Sequence, residues 1–165
     1  MKEINNPSIA VKYRPFPVGV RWISRPNSLL LAGTEEGRKA AYFRKKFTLS
    51  GLSGKVEVFI AVAGYYELHC NGNRVGDHVL DPGVIDYSKR VRFVVYDITD
   101  LIDSEKENAL GVVLGPGYFN SRWTRWRGYQ RFALAVVVDG EIITGNNDNW
   151  RTSYGPVIYS RLRSG

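Results

Sequence analysis

Carboxylates, imidazoles, and arginines set among aromatic rings are the side chains through which this sequence could act on another molecule. Its two histidines, His69 and His78, lie on either side of an Asn71-Gly72-Asn73 turn signal and have no HxH or HExxH spacing. Acid–base or metal chemistry near neutral pH usually draws on such spacing, so both read as surface or structural groups. No Gly-x-Ser-x-Gly elbow is present, and Gly111, Gly115 and Gly117 are followed by neither a helical pattern nor a phosphate-loop lysine. Serine-triad hydrolysis and nucleotide binding therefore find no support. Cys70 is the single cysteine, which rules out an intrachain disulfide, a CxxC redox pair and a thiolate zinc site.

Asp77, Asp81 and Asp86 fall within one loop-rich stretch, 76–87. Paired carboxylates across a cleft could hydrolyse a glycosidic bond, but closeness in sequence does not set their separation. Turn capping is the simplest reading of the three. Oxygen ligands for calcium, or acceptors for sugar hydroxyls, are the next, because hard cations and polyols both favour carboxylate oxygens carried on loops. The segment 117–131 interleaves Arg122, Arg125, Arg127 and Arg131 with Tyr118, Trp123, Trp126 and Tyr129. Such a mixture can stack bases and hold phosphates, can stack sugar faces while Arg and Asn reach hydroxyls, or can simply pack against a neighbouring surface. Composition leaves the three readings open.

The frame for these residues is a 165-residue chain with 44% hydrophobic residues, 24% charged residues and a net charge of +7. That length suits one domain, with a core that needs no disulfide staple. Apolar runs are too short to span a membrane, so no membrane partner is expected. Polar Asn5, Asn6 and Ser8 occupy the place of a secretory signal's apolar core, which implies an intracellular protein or one whose leader has been removed. Residues 1–38 hold four of the seven prolines and read as an irregular leader, with 19–24 as a potential edge strand. Residues 39–165 read as one β-sandwich. Period-two patterning marks strands at 42–49 and 55–63, the latter aligning Val56, Val58, Ile60 and Val62 on one face, and others follow at 65–70, 74–80, 91–96, 108–114, 131–138 and 141–144. Only 98–102, capped by Asp97 or Thr99, offers a helical turn. Many short strands joined by turns predict an all-β sandwich of antiparallel strands and exclude a parallel α/β fold.

Several stretches together carry a family resemblance: Tyr42-Phe-Arg-Lys-Lys-Phe47, Gly64-Tyr-Tyr-Glu-Leu-His-Cys-Asn-Gly-Asn-Arg-Val-Gly-Asp-His-Val-Leu-Asp-Pro-Gly83, Asp86-Tyr-Ser-Lys-Arg90, Tyr96-Asp-Ile-Thr-Asp-Leu101 and Asn108-Ala-Leu-Gly-Val-Val-Leu-Gly-Pro-Gly-Tyr118. In order and spacing they resemble the N-terminal β-sandwich of bacterial alpha-L-rhamnosidases, glycoside hydrolase family 78. The resemblance implies a galactose-binding-like jelly roll whose role is non-catalytic, as a carbohydrate-binding or scaffolding domain. The catalytic carboxylates would then lie outside this chain, in an (α/α)6 barrel of the same polypeptide.

It also implies a rhamnose-containing glycan as ligand, held among Asn71, Asp81, Asp86, Tyr87, Arg90, Tyr118 and Asn120, with Trp123 and Trp126 beside them. No cofactor is required; calcium, where present, falls to Asp81, Asp86 and Asn120. The sequence departs from the family at Val84-Ile85, often Trp-Thr, and at Tyr118, often Trp. The alternative from another class is a basic single-stranded nucleic-acid-binding module built on 122–131, which ranks behind the glycan.

Overall fold

The computed structural model describes residues 14–26, 39–49, 51, 54–120, 128–144 and 149–157. Two antiparallel sheets face each other. One has five strands in the order β4-β3-β6-β1-β9, and the other four in the order β5-β2-β7-β8. In chain order the strands are β1 Ala41–Phe47, β2 Val56–Ala63, β3 Tyr65–Cys70, β4 Asn73–Arg74, β5 Phe93–Asp97, β6 Asn108–Gly115, β7 Arg131–Val138, β8 Glu141–Thr144 and β9 Arg151–Tyr154. Two single 3-10 turns, Thr99–Leu101 and Gly117–Asn120, are the helical elements among the described residues. The expected sandwich is therefore the observed one.

Alternation explains the core. Along β6 every second residue is buried, and Leu110, Val112 and Leu114 pair across to Cys70, Leu68 and Tyr66 of β3 and to Lys45, Phe43 and Ala41 of β1. The facing sheet contributes Val58, Ile60 and Val62 of β2, paired with Val136, Leu134 and Phe132 of β7. Lys45 takes an inward position on β1 yet stays half-buried, as a long amine does when its stem lies on apolar surface and its head reaches out.

Period two does not explain why β2 is buried on both faces. Its outward residue Phe59, with Ala135 and Val137 of β7, forms a second apolar cluster, and Phe16 and Val20 of the leader pack onto it beside Phe93 and Val95. Phe16 meets the Phe93 ring edge-on at 5.4 Å and that of Phe59 at 6.5 Å. Further along, Ile23 exchanges backbone hydrogen bonds of 2.7 and 3.0 Å with Phe132. The edge contact expected of 19–24 thus shrinks to a single bridge, while the leader covers a sheet face.

The hairpin at Asn71-Gly72 has both residues at positive φ, 49° and 85°, and closes a two-residue loop between Cys70 and Asn73. The strand expected over 74–80 ends after Arg74. Gly76 sits at φ 72°, and a Cβ there would lie 2.4 Å from the Tyr96 ring, so the chain turns beneath that tyrosine instead of extending the ladder. Asp97 accepts the Thr99 amide and hydroxyl at 3.1 and 2.6 Å, which fixes the turn expected at 98–102. Strand β9, which is absent from the strands expected from sequence, completes the five-stranded sheet, and Trp150 before it packs edge-on against Phe132 at 5.1 Å.

Candidate functional site

Aromatic side chains gather where β3 begins and β6 ends. Tyr65 opens β3 on its outward face, and Tyr118, in the turn after β6, meets it edge-on at 5.8 Å. Gly117 makes this approach feasible: it sits at φ 51°, and a Cβ would lie 2.8 Å from the Tyr65 ring. The next residue, Phe119, is buried and receives Tyr87 edge-on at 5.0 Å. Burial, with the nearby Tyr118 and Tyr87 phenols adding to it, pushes the Tyr65 phenol up to about 12.

Arg131, the first residue of β7, adds the facing sheet's contribution. Its guanidinium lies 5.4 Å from the Trp22 ring, 5.8 Å from Tyr129 and 5.9 Å from Phe119. Among the described residues the buried Nε of Arg131 has no hydrogen-bond partner, and ring faces surround this cation. Trp22 remains 41% exposed. Phe119, touching both Tyr87 and Arg131, joins the phenols to the cation and indole. Rings with polar tips, half open to solvent, can stack an apolar sugar face and hydrogen-bond its hydroxyls.

Of the residues expected at a site, Tyr87 and Tyr118 come together here. Asn120 ends the turn that carries Tyr118; Trp123 and Trp126 lie outside the described residues. Asn71 does not join them: it stands six residues along β3 from Tyr65, roughly 20 Å away at strand rise. There its amide donates to the Leu101 carbonyl at 2.8 Å and to Asn108 Oδ1 at 2.7 Å, and accepts from the Ala109 amide at 2.8 Å. Asp86 accepts the Ser88 hydroxyl at 2.6 Å and its amide at 3.1 Å, and these bonds hold its carboxyl below the ordinary range. Arg90 is exposed and gives its amide to the Asp86 carbonyl.

Asp81 fastens the loop between the sheets. Its Oδ2 accepts the Tyr66 hydroxyl at 2.6 Å and the Tyr96 hydroxyl at 3.1 Å, and His78 Nδ1 stands 3.0 Å away. Tyr66 belongs to one sheet and Tyr96 to the other. Burial, followed by the bond to Asp81, pushes the Tyr66 phenol far up, so it stays a donor. Tyr66→Phe should therefore lower unfolding free energy by about 1–2 kcal/mol in a urea titration, since Asp81 keeps two partners; an unchanged midpoint would mean the bond contributes nothing.

Calcium needs six or more oxygens turned to one point. Among the described residues no group of three or more His, Cys, Asp or Glu is placed to hold a metal ion, and Asp81 and Asp86 already face protein donors. Both carboxylates are thus engaged by groups of the protein itself. Sequence reasoning passed over Trp22, Tyr65 and Phe119. A proline-rich leader and an apolar strand gave no local sign that their rings would meet.

The family described as "Alpha-L-rhamnosidase N-terminal domain" matches residues 53–165. An alpha-L-rhamnosidase of Formosa agariphila is 35% identical over 144 residues, 79% of this chain and 15% of that protein. The structure of alpha-L-rhamnosidase from Dictyoglumus thermophilum superposes with a TM-score of 0.64 at 39% identity, covering 72% of this chain and 14% of the other. That of Streptomyces avermitilis alpha-L-rhamnosidase, complexed with L-rhamnose, gives 0.66 at 32% identity over 77% of this chain and 13% of the other. The chain thus spans about a seventh of the relatives' length. A family match over most of the sequence, on a sandwich of the same architecture, shows that this chain belongs to the alpha-L-rhamnosidase N-terminal domain family.

Proposed function

We propose that this domain is the non-catalytic carbohydrate-binding part of an alpha-L-rhamnosidase, and that it presents a rhamnose-containing glycan to catalytic carboxylates carried by a barrel elsewhere in the polypeptide. The observation that carries the reading is the convergence of Tyr65, Tyr87, Tyr118, Phe119, Trp22 and Arg131 at one end of the sandwich. Loops at the end of a rigid β-scaffold are a common place for a ligand site. The segment holding Trp123 and Trp126 runs between Asn120 and Gly128, so both of its anchors stand at this end. A terminal rhamnosyl residue has one methyl-bearing, largely apolar face and three free hydroxyls. Half-exposed phenols and an indole match both parts.

Calorimetric titration of the chain with L-rhamnose, with calcium and again with a chelator, tests the proposal. Saturable heat unaffected by the chelator is expected. Tyr118→Ala should weaken binding about three- to tenfold, the range of one aromatic contact. Asn71→Asp, at the other end of β3, should leave the affinity unchanged. No heat from folded protein in either run would overturn carbohydrate binding and leave a scaffolding role.

A further inference from the structure

The outer face of the five-stranded sheet, away from the aromatic end, holds an arrangement of charge that folding alone does not favour. Arg44 of β1 pairs directly with Arg151 of β9, so their Cβ atoms project from the same face about 4.5–5.5 Å apart. Like charges placed directly opposite one another destabilise a sheet. On its other side Arg44 faces Gly111 of β6, which supplies no side chain to separate or neutralise it, and beyond Gly111 stands His69. Two positions along β1, Lys46 pairs with Glu107. Arg44, Lys46, Glu107, Asn149 and Arg151 together line a depression of about 280 Å³. Among the described residues three cations meet one carboxylate there, and that carboxylate is taken by the lysine. Among the described residues neither Arg44 nor Arg151 has an ion-pair partner.

We propose that this depression binds an oxyanion, a carboxylate or a sulfate-type group on a ligand no larger than about one sugar ring. Two guanidinium forks side by side offer the planar, bidentate donors that such groups accept. An anion between them turns the cross-strand repulsion into attraction. The Asn149 amide at the rim provides a donor and an acceptor for a neighbouring hydroxyl. The volume lies at the small end of ligand sites, which run from about 300 to 1,000 Å³, so a single anionic group fits better than an extended chain. The depression is separate from the aromatic end: Gly111, opposite Arg44, is four residues from Gly115, opposite Tyr65, roughly 13 Å along β6.

Backbone amide shifts of the whole chain, followed by NMR while sodium glucuronate, sodium sulfate, glucose or sodium chloride is added at constant ionic strength, test the site. Saturating shifts at Arg44, Lys46, Glu107, Asn149 and Arg151 are expected with glucuronate or sulfate, and none with glucose or chloride. Saturation by glucuronate alone would identify a ring-borne carboxylate as the ligand, and saturation by sulfate a tetrahedral oxyanion. Arg44→Gln and Arg151→Gln should each weaken binding tenfold or more. Each should also raise the Tm of the ligand-free protein at low salt, because one of two opposed charges is gone. Shifts that grow linearly and are matched by chloride would overturn the site, as would saturable binding that survives both substitutions. A lowered Tm in both variants would also overturn it, by showing that the arginines are held by structural partners.

Discussion

Phe132→Ala should lower the unfolding free energy by about 3–5 kcal/mol, the usual cost of emptying a buried aromatic site. Phe132 has no solvent exposure. Its ring meets Phe43 edge-on at 5.0 Å from the facing sheet and Trp150 at 5.1 Å from the segment leading into β9, so one side chain ties three parts of the sandwich. Its backbone pairs with Val62 on one side and bridges to Ile23 on the other. Alanine retains the backbone bonds and removes the ring, leaving a void that Phe43 and Trp150 cannot close without shifting their own strands. Domains of this size have roughly 5–15 kcal/mol in total, so a fifth of it or more would be lost. Urea denaturation measures the difference, and Phe132→Leu, which fills most of the volume, should cost markedly less. Equal losses, or an alanine effect below about 1 kcal/mol, would mean that the ring is not the centre of this core.

Much of the frame was legible because it is local. Alternation along 55–63 named the inward residues of β2, the apolar run at 108–114 marked β6 as a strand, and Asn71-Gly72 and Asp97-Ile98-Thr99 carried their turns in their own chemistry. What stayed hidden depends on partners far away in sequence. Nothing in residues 14–20 announces that Phe16 will lie on Phe93, 77 positions later, or that Arg14 will find Glu57. β9 is too short and polar to stand out, and it forms only because β1 has a free edge. The candidate site divided in the same way. Tyr118 and Tyr87 could be named from motif, but Tyr65, Phe119 and Trp22 became neighbours only once two sheets and the leader had packed. Asn71, conspicuous in its motif, is used up by backbone and side-chain bonds at the opposite end.

Acidification should remove about 2–3 kcal/mol between roughly pH 4.5 and pH 2 through one carboxylate, Glu57. It points outward from β2 yet is only 7% exposed, because the leader covers that face. Arg14 grips both its oxygens, at 2.7 and 2.6 Å, and Lys55 adds a contact at 2.9 Å. The Arg14 hydrogen bonds outweigh the opposing effect of burial, so the carboxyl falls from 4.5 to about 2. A folded-state value below the unfolded one stabilises the fold fully above the unfolded value, and that contribution disappears as pH falls through the folded one. Glu57→Gln should therefore flatten the stability profile over this interval. Asp86, Asp97 and Asp103 shift in the same direction but are more exposed, and their contribution remains in the variant, so the difference between the two profiles isolates Glu57. The same protonation loosens Arg14, whose guanidinium also lies 5.0 Å over the Phe59 ring, and with it the segment that carries Phe16. Protease cleavage within 14–20 should accordingly accelerate near pH 3 while the sandwich stays folded. Parallel profiles for the two proteins would show that the Arg14–Glu57 pair does not couple the leader to the sheet.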